Sequence, residues 1–93
     1  MRLMENDLRK IPGVGKNMEQ HLLDIGINCV KDLVGKDPEV LFERDCILKG
    51  LADDRCVLYV FRLAVYYAEN EAREPEKLKW WYWKDKEYHP QKG

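Results

Sequence analysis

Ile11-Pro12-Gly13-Val14-Gly15-Lys16 is the stretch from which the rest of the chain can be read. Two glycines flank one valine, so the backbone can turn tightly and another molecule can approach without side chains in the way. An apolar repeat follows at once: Met18, Leu22 and Ile25, at spacings of four and three, predict a helix from about Lys16 to Ile25. At the start of such a helix several N–H groups lack internal partners, and the helix dipole favours an anion. Val14 is expected to tuck inward and pin the turn, while Lys16 adds a mobile cation at its mouth. Gly13, Val14, Gly15, Lys16 and Asn17 are therefore the candidate phosphate-binding set, with Gly13, Gly15, Lys16 and Asn17 offering amides.

Outward from the turn the pattern is helical almost throughout. A first helix is expected over Asp7 to Ile11 or earlier, with Leu3, Met4, Leu8 and Ile11 on one side. Gly26 is placed to end the next helix in a left-handed conformation. A short helix around Val30, Leu33 and Val34 should stop at Gly35. Asp37 then caps a helix whose first position is Pro38, with Val40, Leu41 and Ile47 or Leu48 on its buried side. A longer helix from about Asp53 to Asn70 carries the broad stripe Cys56, Val57, Val60, Phe61, Ala64 and Tyr67, wide enough for a central position. A last short helix is expected within 75–85, and the chain after Glu87 is expected to be loose. The fold class is all-α, one domain over 1–93 with five or six helices. A shift of 37 residues lays Leu48-Lys49-Gly50-Leu51-Ala52-Asp53 over the first motif and suggests a second, degenerate hairpin over 45–68.

The 93 residues are 45% hydrophobic and 35% charged, with a formal net charge of -1. A protein that neutralises many phosphates usually has a clear basic excess, so any such surface here has to be local. Cys29, Cys46 and Cys56 form no CxxC pair and sit among apolar neighbours, which favours small buried hydrophobes over metal or redox sites. No apolar stretch has the length of a membrane span or the form of a signal peptide, and a cytoplasmic setting is expected. His21 falls on the apolar side of its helix as a core or edge residue, and Asp53-Asp54 suits the start of a long helix. No catalytic cluster stands out, so a non-enzyme without a cofactor is expected.

Lys77-Leu78-Lys79-Trp80-Trp81-Tyr82-Trp83-Lys84-Asp85-Lys86 holds all three tryptophans. Aromatics between lysines can stack on bases while the lysines meet phosphates. The alternative is a clasp in which two or three rings cover the core beside lysine stems. Trp81 shares a face with Leu78, and Trp80 with Trp83, so an exposed ring from the second pair could still meet a partner. Arg9, Lys10, Lys79, Trp80, Trp83 and Lys84 are the candidate supporting residues.

The string Ile11-Pro12-Gly13-Val14-Gly15, within Leu8 to Ile25, resembles the helix-hairpin-helix family of DNA repair, replication and recombination proteins. The resemblance implies contact with sugar-phosphate backbone through hairpin amides, with little sequence preference. It also implies that a monovalent cation can sit on the carbonyls of Arg9, Ile11 and Val14. The family usually has a small residue where this chain has Glu19. A carboxylate there must reach solvent or find a partner, and it puts negative charge one turn from the phosphate site. Val30-Lys31-Asp32-Leu33, Asp53-Asp54-Arg55-Cys56-Val57-Leu58 and Lys79-Trp80-Trp81-Tyr82-Trp83-Lys84-Asp85 extend the likeness over about residues 6 to 85. There the chain resembles the small bacterial pathogenicity-locus family, often labelled mitomycin resistance proteins, which implies a bacterial cytoplasmic setting and a link to DNA damage. The expected function is a non-sequence-specific DNA-binding module, weak alone. The alternative is a protein-interaction module or small homodimer that binds no nucleic acid.

Overall fold

In a computed structural model of the chain, residues 7–50 and 54–90 are described. They form three α-helices, α1 (Lys16–Asp24), α2 (Pro38–Lys49) and α3 (Arg55–Glu69), joined and flanked by 3₁₀ turns at Leu8–Lys10, Val30–Leu33, Pro75–Leu78 and Trp80–Lys84. No strand occurs among the described residues. The all-α expectation holds, but only three of the five or six expected helices are α-helical: those expected at 7–11 and around 30–34 are single 3₁₀ turns, and the one within 75–85 is two. Each is too short to repay the cost of nucleating an α-helix. The first is also cut by Pro12, which favours an extended Ile11, here at φ -74° and ψ 125°. Leu3 and Met4 lie outside the described residues.

α3 is the centre of the molecule. Val57, Leu58 and an unbroken run from Val60 to Tyr66 are buried, with Phe61, Leu63, Ala64 and Val65 fully so. Cys56, counted in its stripe from the sequence, is exposed, and Cys29 and Cys46 are only half-buried. Asp54 starts α3 by accepting the Cys56 N–H at 3.0 Å. At the other end the Asn70 side chain donates to the Tyr66 carbonyl (2.9 Å) and Arg73 Nε to the Tyr67 carbonyl (3.0 Å), satisfying carbonyls that a helix end leaves open.

Around α3 the other helices begin and end on recognisable signals. Gly26, at φ 91°, closes α1. The Ile27 N–H reaches the Leu22 carbonyl and the Gly26 N–H the Leu23 carbonyl, a Schellman motif whose trailing Ile27 is buried. Asp37 caps α2 through the Glu39 N–H at 2.9 Å, with Pro38 at the first position. The buried side of α2 differs from expectation. Pro38, Leu41 and Asp45 face inward, while Val40 (48%), Ile47 (75%) and Leu48 (57%) are exposed. Apolar residues lie all around this helix, so period alone does not select a face. Val34 is likewise exposed. Of the second hairpin region, α2 runs to Lys49 and closes on Gly50 at φ 74°, while 51–53 lie outside the described residues.

Two polar ties join α3 to the elements around it. Arg62, buried on α3, donates from Nε and Nη2 to Glu39 Oε2 (3.0 and 2.7 Å) and from Nη1 to the Trp83 carbonyl (2.7 Å). Glu69 accepts from the Gly35 N–H through Oε2 (2.6 Å) and from the Tyr88 hydroxyl through Oε1 (2.7 Å). Burial and this bond to Glu69 push the Tyr88 hydroxyl up to about 12. Tyr88 is thus anchored, and the chain beyond Glu87 is not loose there.

Candidate nucleic-acid interface

The Val14 N–H donates to the Ile11 carbonyl at 3.0 Å, and Gly13 takes φ 89°. That is the pattern of a type II turn, with proline second and glycine third. Gly13 is required here, because side chains rarely adopt this φ. Val14 is buried and its amide is committed to the turn, so it pins the site and has no N–H for a phosphate. Ile11 keeps one carbonyl lone pair beyond the turn bond, and the carbonyls of Arg9 and Val14 come from the same loop.

Gly15 differs from Gly13. It sits at the start of α1 with φ -100° and ψ -161°, extended backbone open to any residue. A Cβ built on it would meet nothing within 4 Å. No side chain caps this helix end. Gly15, Lys16 and Asn17 are all exposed, so the first amides of α1 face open space.

Glu19 finds its partner in Arg9, whose Nε and Nη2 both lie 3.0 Å from Oε1. The pair reconciles a carboxylate with this position, and it weakens Arg9 as a phosphate ligand. Because the arginine is more than half exposed, the pair is of the weakly held surface kind. Lys10 is exposed on the 3₁₀ turn before the hairpin.

The tail meets the hairpin along one stripe of α3. A Cβ on Gly13 would stand 3.4 Å from Leu63 Cδ2 and 3.9 Å from Trp80 Cβ. The Trp80 ring stacks on Tyr59, with centroids 6.5 Å apart and planes 3° from parallel. Lys84 is near enough to Cys56 to act on its thiol electrostatically, although burial and the Asp54 carboxylate together raise that thiol above its ordinary value. Cys56, Tyr59 and Leu63 lie three and four residues apart and so share a face of α3. Leu63 and Tyr59 thus bring the hairpin turn and Trp80 to the same side of α3.

The three tryptophans have separate fates. Trp83 is buried, donates from Nε1 to the Lys77 carbonyl at 2.9 Å and packs against Tyr66, Tyr82 and Tyr88. Trp80 is half-buried against the core. These two form the clasp, since positions three apart eclipse in a 3₁₀ turn. Trp81 is 56% exposed and meets the Trp80 ring edge-on at 5.6 Å. The open ring therefore belongs to the Leu78/Trp81 side, not to the Trp80/Trp83 pair, and a stacking role for Trp83 is ruled out by its burial. Lys79 is exposed and 3.8 Å from Glu76.

A second polar group was not foreseen. Asp45, fully buried, accepts from His21 Nδ1 (2.7 Å) and Lys49 Nζ (2.8 Å), and Lys49 also reaches Asp24 (3.2 Å). Asp45 holds the His21 proton on Nδ1, since a carboxylate only accepts. Gln20 and Lys49 lower the Asp24 carboxyl, and Asp45 raises the Lys49 ammonium. Asn17, Gln20, His21, Asp24 and Lys49 line an open cleft of about 260 Å³ beside α1. An aspartate at a core-facing position of α2, one helix away from a histidine, leaves no trace in sequence spacing. Among the described residues no group of three or more His, Cys, Asp or Glu is placed to hold a metal.

The family model for Cdd1, described as Pathogenicity locus, matches residues 3–89. The chain belongs to the pathogenicity locus family. No curated protein and no solved structure matches it. Among the described residues, no helix of this family member is long and apolar enough to cross a membrane.

Proposed function

We propose that the chain is a non-sequence-specific DNA-binding module of helix-hairpin-helix type that holds sugar-phosphate backbone at the start of α1. The observation that carries this reading is Gly15. Neither its backbone conformation nor its packing calls for glycine, yet its missing side chain leaves the first amides of α1 open to close approach. Lys16 supplies the adjacent cation, and Lys10 and Lys84 extend it, with Arg9 shared with Glu19. A monovalent cation on the carbonyls of Arg9, Ile11 and Val14 would reinforce the same loop. The net charge of -1 fits a weak, local contact. The reading assigns no reaction to the module, and a cytoplasmic role in handling DNA damage is part of the same proposal.

Fluorescence anisotropy with short labelled DNA tests it. Binding at low salt should weaken as salt rises, with a log–log slope of roughly one to three for a few phosphate contacts. Gly15→Asp should lower affinity at least tenfold by placing a carboxylate on the amides, and Lys16→Glu should flatten the slope. Absence of binding at low salt would refute the proposal.

One observation favours a second reading, a homodimer without nucleic acid. Val40, Ile47 and Leu48 expose apolar surface on α2. Sedimentation would then show a concentration-dependent dimer that Ile47→Glu with Leu48→Lys converts to monomer. A monomer at all concentrations would dismiss it.

A further inference from the structure

We infer that Trp81 is a stacking platform for an unpaired nucleobase, so that the ligand is single-stranded DNA or a frayed or gapped strand and not intact duplex. The inference rests on the proposed backbone contact at the start of α1 and adds the class of strand.

Three observations carry it. Trp81 is 56% exposed, while Trp83, two residues on, is 4% exposed, so the tail leaves one large ring open although it buries another. The open ring is held in place. It meets Trp80 edge-on at 88°, and the Trp80 ring is itself stacked on Tyr59. Finally, Trp80, on which that ring rests, lies against the hairpin that offers amides to a phosphate, its Cβ 3.9 Å from where a Cβ on Gly13 would stand.

The chemistry of the neighbours selects the occupant. An apolar protein segment would want aliphatic company around the ring, and here Lys79 and Lys84, two residues before and three after Trp81, are exposed and cationic, Lys79 lying 3.8 Å from Glu76. The exposed aliphatic residues are on α2. An open planar ring with exposed lysines nearby in the chain and a hairpin turn against its neighbour Trp80 suits a ligand with a π-face and a phosphate beside it. Bases inside a duplex already stack on one another, so only an unpaired or terminal base can lie on Trp81.

The test uses the whole chain and oligonucleotides carrying 2-aminopurine, whose emission falls when it stacks. A single strand should be quenched on binding and should bind more tightly than a blunt duplex of the same length. Trp81→Ala should abolish the quenching and weaken single-strand binding about tenfold, with duplex binding unchanged. Trp81→Phe should restore most of both. Trp81 is exposed, so Trp81→Ala should melt as the parent does, and circular dichroism verifies this. Unchanged single-strand affinity and quenching in Trp81→Ala would overturn the inference, as would equal losses on both DNAs. If Gly15→Asp still weakens both DNAs in those cases, the backbone proposal survives on its own. A parent that binds neither DNA at low salt overturns both.

Discussion

α2 and α3 each begin on an aspartate whose carboxylate accepts a backbone N–H two residues on, Asp37 from Glu39 and Asp54 from Cys56. α1 begins on Gly15 and has no side-chain cap. The capped starts have a donor satisfied and a negative charge already in place, so another anion is repelled there. The start of α1 keeps its donors, and the one carboxylate in its first turn, Glu19, is paired with Arg9 and caps no N–H there. One sequence thus closes two helix starts for stability and leaves a third open, and the open one is the start that lies beside Lys16 and the aromatic tail. The difference separates residues that hold the fold from residues free to meet a ligand.

The strongest way to break that contrast is to make α1 resemble the others. Gly15→Asp puts a capping carboxylate where a Cβ meets nothing within 4 Å and where the backbone is already extended. Stability by thermal melting should be unchanged or higher by a few tenths of a kcal/mol, while DNA affinity falls at least tenfold. A variant that loses affinity only because it unfolds would erase the distinction. Next in size, Asp37→Ala removes a cap without touching the proposed interface. It should cost about 1 kcal/mol, a fall in Tm of roughly 4–8 °C for a domain of this size, with DNA binding intact. The smallest effect is on pH dependence. The Cys56 backbone N–H holds the Asp54 carboxyl below its ordinary value of 3.8. A group depressed in the folded state contributes stability above its unfolded value and loses it as pH falls through the folded one. Asp54→Asn caps without titrating, so its stability between pH 7 and the acid limb should fall less steeply than the parent's, measured by denaturant unfolding. Parallel curves would show that the carboxylate contributes nothing as a charge.

The parts of this fold legible in the sequence are those fixed by local chemistry. Pro12-Gly13 demanded a turn, Gly26 an end to α1, Asp37-Pro38 a start to α2, and the stripe through Phe61 a central helix. What was hidden depends on partners distant in the chain. α2 has apolar residues on every side, and which of them is buried is decided by α3 and by Asp45 finding His21 and Lys49. Spacing likewise grouped Trp80 with Trp83 and Trp81 with Leu78 but did not say which pair turns inward, and in Trp80–Lys84 Trp80 and Trp83 face the core while Trp81 stays open. For the proposed interface, the residues of the turn could be named from sequence. Its neighbour Trp80 was named too, but the contact between the two, through Leu63 and Tyr59 of α3, could not be.

Arg62 bears on how the molecule comes apart. Its three donors join α2 through Glu39 and the tail through the Trp83 carbonyl, all from within the interior of α3. If the tail peeled away alone, a guanidinium N–H would be left without an acceptor in a buried place. Tail detachment is thus tied to opening of the core, and hydrogen exchange of the aromatic segment should track that of α3. A segment that looks like an appendage in the sequence unfolds as part of the centre.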